Sequence, residues 1–333
     1  MYRIGIIGAG DYGIQHANAL KDIGNVELVA ASRTNATALK EFTDTYQIEG
    51  YTNYKDLLDN PDIDVVVIAT PHQHHVEITE AAARAQKHIL LEKPMATTLQ
   101  ECERILFSTR HAKVQLMVGH VNRFAHPYRV AKQLIESGEI GELVMGTATM
   151  QKFWFEPNRR DWHLSRATGG GVWLTVGIHP LDRLTWLMNS AIISVSAQFG
   201  TRFHNQRADD AGMAFLRYAN GNSGTIVSVG YANGAPKHTT ELVGTKGMMN
   251  IDYVDGVKIG KDEQWLTVPE SVPTGSWMHQ ALVDEWRAFI HALDTNTEPP
   301  VSAEVAHHIM KAAFAAEISS EQHREVRLNE LDV

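Results

Sequence analysis

The chain has 333 residues, 44% of them hydrophobic and 21% charged, with a formal net charge of −9. That length favours two domains with separate cores, and the composition is that of an ordinary globular protein. The acidic balance lacks the basic footprint of a nucleic-acid binder, and no run approaches the roughly 18 apolar residues of a membrane span. One cysteine, Cys102, excludes an internal disulfide and a thiolate zinc cluster. The N-terminus, Met1-Tyr2-Arg3-Ile4-Gly5, enters a strand pattern with no signal-peptide layout. Together these predict a cytoplasmic protein with no nucleic-acid or membrane partner.

Arg3 to Ile7 reads as a strand, followed by Gly8-Ala9-Gly10-Asp11-Tyr12-Gly13. Beyond it, Ile14, Ala17, Leu20 and Ile23 recur at helical intervals until Gly24-Asn25 stops them. A GxGxxG set between a strand and a helix is the fingerprint of a dinucleotide site. Gly8 allows the tight turn, Gly10 lets a pyrophosphate approach the backbone, and Gly13 lets helix and strand pack. The helix N-terminus, from Asp11 and Tyr12, offers unpaired N–H groups to the phosphates. The next strand, Val26 to Ala31, ends at Ser32-Arg33. An NAD site places an acidic residue about 20 positions past the fingerprint, and Arg33 stands there instead. Its guanidinium suits a 2′-phosphate, with the Ser32 hydroxyl as a second donor, so NADP is the expected cofactor and NAD stays open.

The alternation continues with a helix over 34–46, a short strand over 48–52, a short helix over 54–58 and a continuous apolar strand over 64–69. Thr70-Pro71-His72-Gln73-His74-His75 follows. Its three histidines have no carboxylate or fourth ligand placed with them, so no metal is expected. Thr70, Pro71, His72 and His75 read as a turn beside the cofactor, leading into a helix over 76–85. The next strand, 88–91, ends in Glu92-Lys93-Pro94. Ligands of doubly wound sheets bind beyond the carboxyl ends of strands, so Glu92 and Lys93 emerge on the rim shared by Gly10 and Thr70. The proline restricts Lys93 to an extended backbone.

From about Leu143 the pattern changes to short alternating runs at 144–150, 194–203, 212–218, 223–231, 239–244, 248–253 and 257–260, punctuated by Asn220-Gly221, Gly244-Thr245-Lys246-Gly247 and Asp255-Gly256. This predicts an antiparallel sheet, with helices returning at 278–293 and 303–319. The domain division falls at 1–122 and 123–333. Within the second half, "GGGVWLTVGIHPLD" (169–182) opens on three glycines and continues at helical spacing to Leu187. On an α-helix Thr175 and His179 share a face, with Asp182 three residues further along.

The Gly8–Gly13 fingerprint, Ala69-Thr70-Pro71 with His75, and Glu92-Lys93-Pro94 resemble the glucose–fructose oxidoreductase/inositol dehydrogenase (Gfo/Idh/MocA) family. So do Asn122-Arg123-Phe124 with Pro127, "GEIGEL" (138–143), the 169–182 block and "PPVSAE" (299–304) with its helix. The resemblance implies an α/β N-terminal Rossmann domain, a doubly wound parallel sheet, followed by an α+β domain on a large, open, mostly antiparallel sheet. The outer face of that sheet commonly joins subunits, so a homodimer or homotetramer is implied.

In the family, the helix after the glycines lies under the nicotinamide and carries an acidic residue and a histidine, joined by the lysine of "EKP". His179 matches the histidine and Lys93 the lysine, while Thr175 stands where many members carry aspartate. His179 then takes the hydroxyl proton, Lys93 polarises the oxygen, and Thr175 hydrogen-bonds without supplying charge. Substrate contacts are expected from Lys93, Asn122, Arg123, Tyr128, Trp162, Thr175, His179 and the segment 154–163, in which Arg159 or Arg160 is a candidate carboxylate binder. The implied activity is hydride transfer on a sugar, cyclitol or related polyol. Thr175 keeps open a non-sugar cyclic alcohol, such as a hemiacetal or aromatic dihydrodiol, and a cofactor-binding regulator without turnover. Retention of both Lys93 and His179 argues against the regulator.

Overall fold

A computed structural model describes residues 1–155 and 159–332. The first half builds a sheet of six strands: β1 (Tyr2–Ile7), β2 (Val26–Ser32), β3 (Glu49–Tyr51), β4 (Val65–Ile68), β5 (His88–Glu92) and β6 (Leu116–Gly119). Their order is β3-β2-β1-β4-β5-β6, and every neighbouring pair is parallel. The chain reverses its direction of progress between β1 and β4, which makes the carboxyl ends of those strands the place for a ligand crevice. Ile4, Ile6 and the whole of β4 are fully buried, as a sheet covered on both faces requires.

The crossover helices are α1 (Asp11–Leu20), α2 (Ala36–Tyr46), α3 (Tyr54–Leu58), α4 (His75–Arg84) and α5 (Leu99–Ala112). Local chemistry sets their starts. Asn35 accepts the Ala38 N–H and so begins α2 at Ala36 rather than Thr34. Thr98 and Glu101 form a reciprocal capping box on α5. Neither α5 nor β6 has a counterpart in the sequence reading.

The second half is led by α6 (His126–Glu136) and builds its sheet from β7 (Leu143–Phe153), β8 (Ile192–Gly200), β9 (Ala211–Tyr218), β10 (Ser223–Tyr231), β11 (Lys237–Gly244), β12 (Gly247–Asp252), β13 (Gly256–Lys261), β14 (Gln264–Val268) and the short β15 (Val326–Arg327). The order is β14-β13-β12-β11-β7-β10-β9-β8-β15. All neighbours are antiparallel except β7 and β10. Helix α7 (Ile178–Met188) packs on the inner face of this sheet. Arg183 of α7 is fully buried and donates to Tyr253 Oη, Thr240 Oγ1 and the carbonyls of Thr149 and Thr239, which clamps the helix to β7 and β11. Helices α8 (Trp277–Thr295) and α9 (Ala303–Gln322) follow the sheet.

The chain forms two compact units. One comprises Met1–His120 with Leu282–His307, the other Val121–Ala281 with His308–Val333. The sequence division at 122/123 assigns all of 123–333 to the second domain, so residues 282–307 differ. Two interactions place them in the first unit. The Val118 N–H of β6 donates to Val301 O, and Met117 bridges Ser302, so this returning segment pairs with the outermost parallel strand. The Trp286 indole of α8 is buried and donates to His16 of α1.

Candidate functional site

In the first unit a cleft of about 620 Å³ opens at the carboxyl end of the parallel sheet. Its lining includes Gly8, Ala9, Gly10, Ser32, Arg33, Thr70 and Pro71, all expected there, and also Asn53, Tyr54, His74 and Glu77, which were not. Gly8 adopts φ +101, and a Cβ on it would stand 2.5 Å from Ala69 O, so strain and space both require glycine. A Cβ on Gly13 would stand 2.5 Å from Gly8 O, while one on Gly10 would meet nothing within 4 Å. The turn is therefore closed against β4 and against α1, and open at Gly10.

Helix α1 starts there without a side-chain cap, so the first-turn amides of Asp11, Tyr12 and Gly13 are available to an anion. Burial, reinforced by Glu92 and Glu285, holds the Tyr12 phenol well above its usual range. An open turn, uncapped amides and a cleft of this volume fit a dinucleotide. Ser32 and Arg33 sit where an NAD site would carry its carboxylate. Arg33 is anchored by NH1 donating to Ala9 O at 2.9 Å.

The neighbouring turns brace this cleft. His75 is fully buried, with Nδ1 at 2.9 Å from Pro94 O and Nε2 at 3.0 Å from Thr70 O. Burial lowers its pKa, so the neutral ring donates to one of the two carbonyls. His75 thus ties the turn after β4 to Glu92-Lys93-Pro94, a bracing position for a residue expected to touch cofactor. His72, also buried, packs edge-on against it.

Glu92 likewise faces inward. It lies against Gly119, where a Cβ would stand 2.9 Å from its Oε1, and it pairs with His16 Nε2 at 3.0 Å. Indole can only donate, so Trp286 Nε1–H fixes His16 Nδ1 as acceptor and leaves Nε2–H to donate to Glu92. The Trp286–His16–Glu92 chain anchors the end of β5, and Lys93, half-buried, follows directly. Among the described residues no three His, Cys, Asp or Glu side chains converge as a metal site.

In the second unit the glycine block resolves differently from a plain α-helix. Trp173–Gly177 is wound as a π-helix and turns into α7 only at Ile178. A π turn bonds i to i+5, one residue wider than an α turn; Thr175 lies within it and His179 in the first turn of α7, so the pair spans the change of winding. Both side chains are buried, at 7% and 8% exposure. The Trp173 ring lies over Gly177, where a Cβ would meet it at 2.6 Å, and its Nε1 donates to Ala313 O of α9.

Asp182, fully buried, receives both Nε and NH2 of Arg123, with Nε–Oδ2 at 2.8 Å. Arg123, expected at the substrate, therefore has its guanidinium fork in an internal ion pair. Tyr128 is also corrected: it has no exposure, bonds Thr240 Oγ1 and packs at a tilt against the Tyr253 ring, which makes it core. Asn122 is buried with Nδ2 lacking a hydrogen-bond partner among the described residues.

Trp162 stacks on His163 with centroids 3.6 Å apart. Arg159 lies over the Trp154 ring at 4.4 Å and donates to Trp154 O. Arg160 donates by NH1 to Arg159 O. Of the 154–163 segment, Glu156, Pro157 and Asn158 lie outside the described residues.

The connection 201–210, part of which was read as strand, was missed as an organiser. Asp210 accepts the N–H groups of Arg202, Phe203 and His204, and Gln206 bridges the Trp154 indole to Asp209 O. The Asp210 contacts are local to the loop, but its link to Trp154 spans 52 positions, and no local pattern names that partner.

Comparison with known proteins gives two family matches. The oxidoreductase family with an NAD-binding Rossmann fold matches residues 2–120, and the GFO/IDH/MocA C-terminal domain matches 128–250. The chain is 35% identical to 1-carboxy-3-chloro-3,4-dihydroxycyclohexa-1,5-diene dehydrogenase of Comamonas testosteroni, over 69% of this chain and 58% of that protein's length. It is 27% identical to myo-inositol 2-dehydrogenase of Thermotoga maritima across 99% of both chains. Among solved structures, a putative myo-inositol dehydrogenase from Sinorhizobium meliloti superposes with TM-score 0.84 at 26% identity, over 98% of this chain and 100% of that one. Levoglucosan dehydrogenase in complex with NADH shares the fold, with TM-score 0.91 at 23% identity over 98% and 99%.

Proposed function

The chain belongs to the GFO/IDH/MocA oxidoreductase family, and from that premise we propose that it interconverts the hydroxyl and carbonyl forms of a cyclic polyol, a sugar or cyclitol. The observation that carries this reading is the cleft in which Gly8, Gly10 and the uncapped start of α1 are arranged for a dinucleotide. When bound, the nicotinamide supplies the hydride acceptor or donor. The chain's own residues do the proton work. His179 takes the hydroxyl proton, Lys93 polarises the substrate oxygen, and Thr175 hydrogen-bonds the substrate without adding charge. Asn122 supplies a further contact, since a buried amide nitrogen without a partner costs about 1–3 kcal/mol unless a ligand meets it. Trp162 offers a ring face to the carbon skeleton.

NADP is the cofactor we favour, because Ser32 and Arg33 line the cleft where a carboxylate would exclude a 2′-phosphate. The Comamonas relative supports a second reading of the substrate, a cyclic dihydrodiol, and with it oxidation rather than reduction. The lone thiol, Cys102, is buried and free, as suits a reducing cytoplasm. No helix among the described residues is long and apolar enough to cross a membrane.

The partner is a second copy of the chain. Cross-strand register places Met145, Val243, Met248 and Trp265 in one row, with Phe215 and Met213 on the same face of the nine-stranded sheet. Met145, Met213, Phe215, Met248 and Trp265 stay exposed there.

The test is turnover on a panel of polyols, sugars, their carbonyl forms and dihydrodiols, followed at 340 nm with each cofactor. Lys93→Ala and His179→Asn are each expected to lower kcat on the best substrate by about 10²-fold or more, with cofactor affinity little changed. Parent-rate turnover by both variants would overturn the assignment.

A further inference from the structure

We propose that Asp209 is the positioning residue of the reaction: its carboxylate, reaching from the β8–β9 connection, caps the start of the helical segment that carries Thr175 and His179. This rests on the role proposed above for those two residues. Three observations place it. The segment has no side-chain cap of its own. Asp209 supplies two acceptors from 36 or more positions away, with Oδ2 taking the Trp173 N–H at 2.7 Å and its backbone O taking the Val172 N–H at 3.0 Å. Gly171 makes room for it: at φ +102, a Cβ there would stand 2.4 Å from Asp209 Oδ1.

The last of the three glycines is therefore glycine because a carboxylate occupies the space of its side chain. A negative group against the first N–H groups of a helical segment also meets the positive end of the peptide dipoles. Asp209 in turn is held by Gln206, whose Nε2 donates to Asp209 O at 2.8 Å while its Oε1 accepts the Trp154 indole N–H. The cap thus joins Trp154, at the start of the 154–163 segment, to the helix of His179. Because the π turn gives way to α7 just before His179, a shift of the capped end is passed along the winding to both side chains.

The charged groups facing Asp209 are Glu317 of α9, itself paired with Arg166, and the adjacent Asp210. Burial first, with these like charges beside it, raises the Asp209 carboxyl to about 7, against the opposing pull of the Trp173 N–H. The strength of the cap therefore changes across the neutral range.

Asp209→Asn keeps the shape and removes the charge. It is expected to fold, to lower kcat about tenfold through misplacement of the reacting groups while the KM for cofactor stays at the parent value, and to lose the parent's inflection near pH 7. A second measurement needs neither the variant nor a substrate. Selective ¹⁵N labelling of the seven tryptophans makes the Trp173 amide observable in the parent protein, assigned by Trp173→Phe. That amide is expected to titrate with a midpoint near 7. Parent kcat and an unchanged pH profile in Asp209→Asn, or a Trp173 amide indifferent to pH between 5 and 8.5, would overturn the proposal. If the parent turns over nothing on the panel, the function reading fails, while the amide titration still decides the role of Asp209.

Discussion

Arg33 and Asp209 show how differently single residues expose their roles. The role proposed for Arg33 follows from spacing alone, because the strand-to-helix fingerprint sets where a ribose would lie. Its replacement by alanine is expected to weaken NADPH binding tenfold or more and leave NADH within about twofold, measured by protein fluorescence titration. Equal losses for both cofactors would remove the 2′-phosphate contact. Asp209 has no such signal, since what defines it is a glycine 38 positions earlier. Its raised pKa also sets a sign for stability. An unfolded carboxyl titrates near 4, so between about pH 4 and 7 the folded chain binds more protons than the unfolded one at this group. The stability contributed by the protonated form is complete below about pH 4 and is lost as pH rises to about 7. Asp209→Asn should therefore gain on the parent in Tm between pH 4.5 and 7.5, and a constant difference across that range would contradict the shift.

At the scale of elements, the strands and helices around the cofactor cleft fall within two residues of the sequence reading, apart from α1, which ends at Leu20 rather than Ile23, because strand, glycine turn and helix are encoded in adjacent residues. The glycine block is the exception. Its apolar spacing is helical, but nothing local distinguishes a π turn from an α turn, and the wider winding goes with a Trp173 ring seated over Gly177. The turn at Glu92-Lys93-Pro94 shows the same division. Its place on the rim follows from the strand before it. The anchoring of Glu92 by His16 and Trp286 joins residues 76 and 270 positions apart. Trp286→Phe removes the donor to His16 Nδ1 and leaves that nitrogen buried and unmet. The expected loss is about 1–3 kcal/mol of unfolding free energy, read by denaturant titration. A change below about 0.5 kcal/mol would mean the chain of three does not hold β5 to α1.

For the molecule as a whole, the two sheets have opposite relations to solvent. The parallel sheet is covered on both faces, and its last strand is met by residues 301–302 returning from far along the chain. The nine-stranded sheet carries helix α7 on its inner face and leaves a row of apolar side chains on the other. If a second copy covers that face, on which Met213 and Phe215 also lie exposed, Met213→Glu with Phe215→Lys should shift the parent from an oligomer to a monomer in size-exclusion with light scattering. A parent that is monomeric at micromolar concentration would refute this.

The sequence by itself determined the class of fold and the cofactor cleft, with Gly8, Gly10, Gly13 and Arg33 in their places, since each depends on neighbours within one strand–turn–helix unit. Lys93 and His179 could be named from the motifs around them. Only the tertiary structure decided that Arg123 is engaged by Asp182, that Tyr128 is core, that Glu92 and His75 brace turns, and that residues 282–307 belong to the first unit. These outcomes depend on which polar group finds a partner once water is excluded. The partner comes from another element, and no local pattern of residues names it.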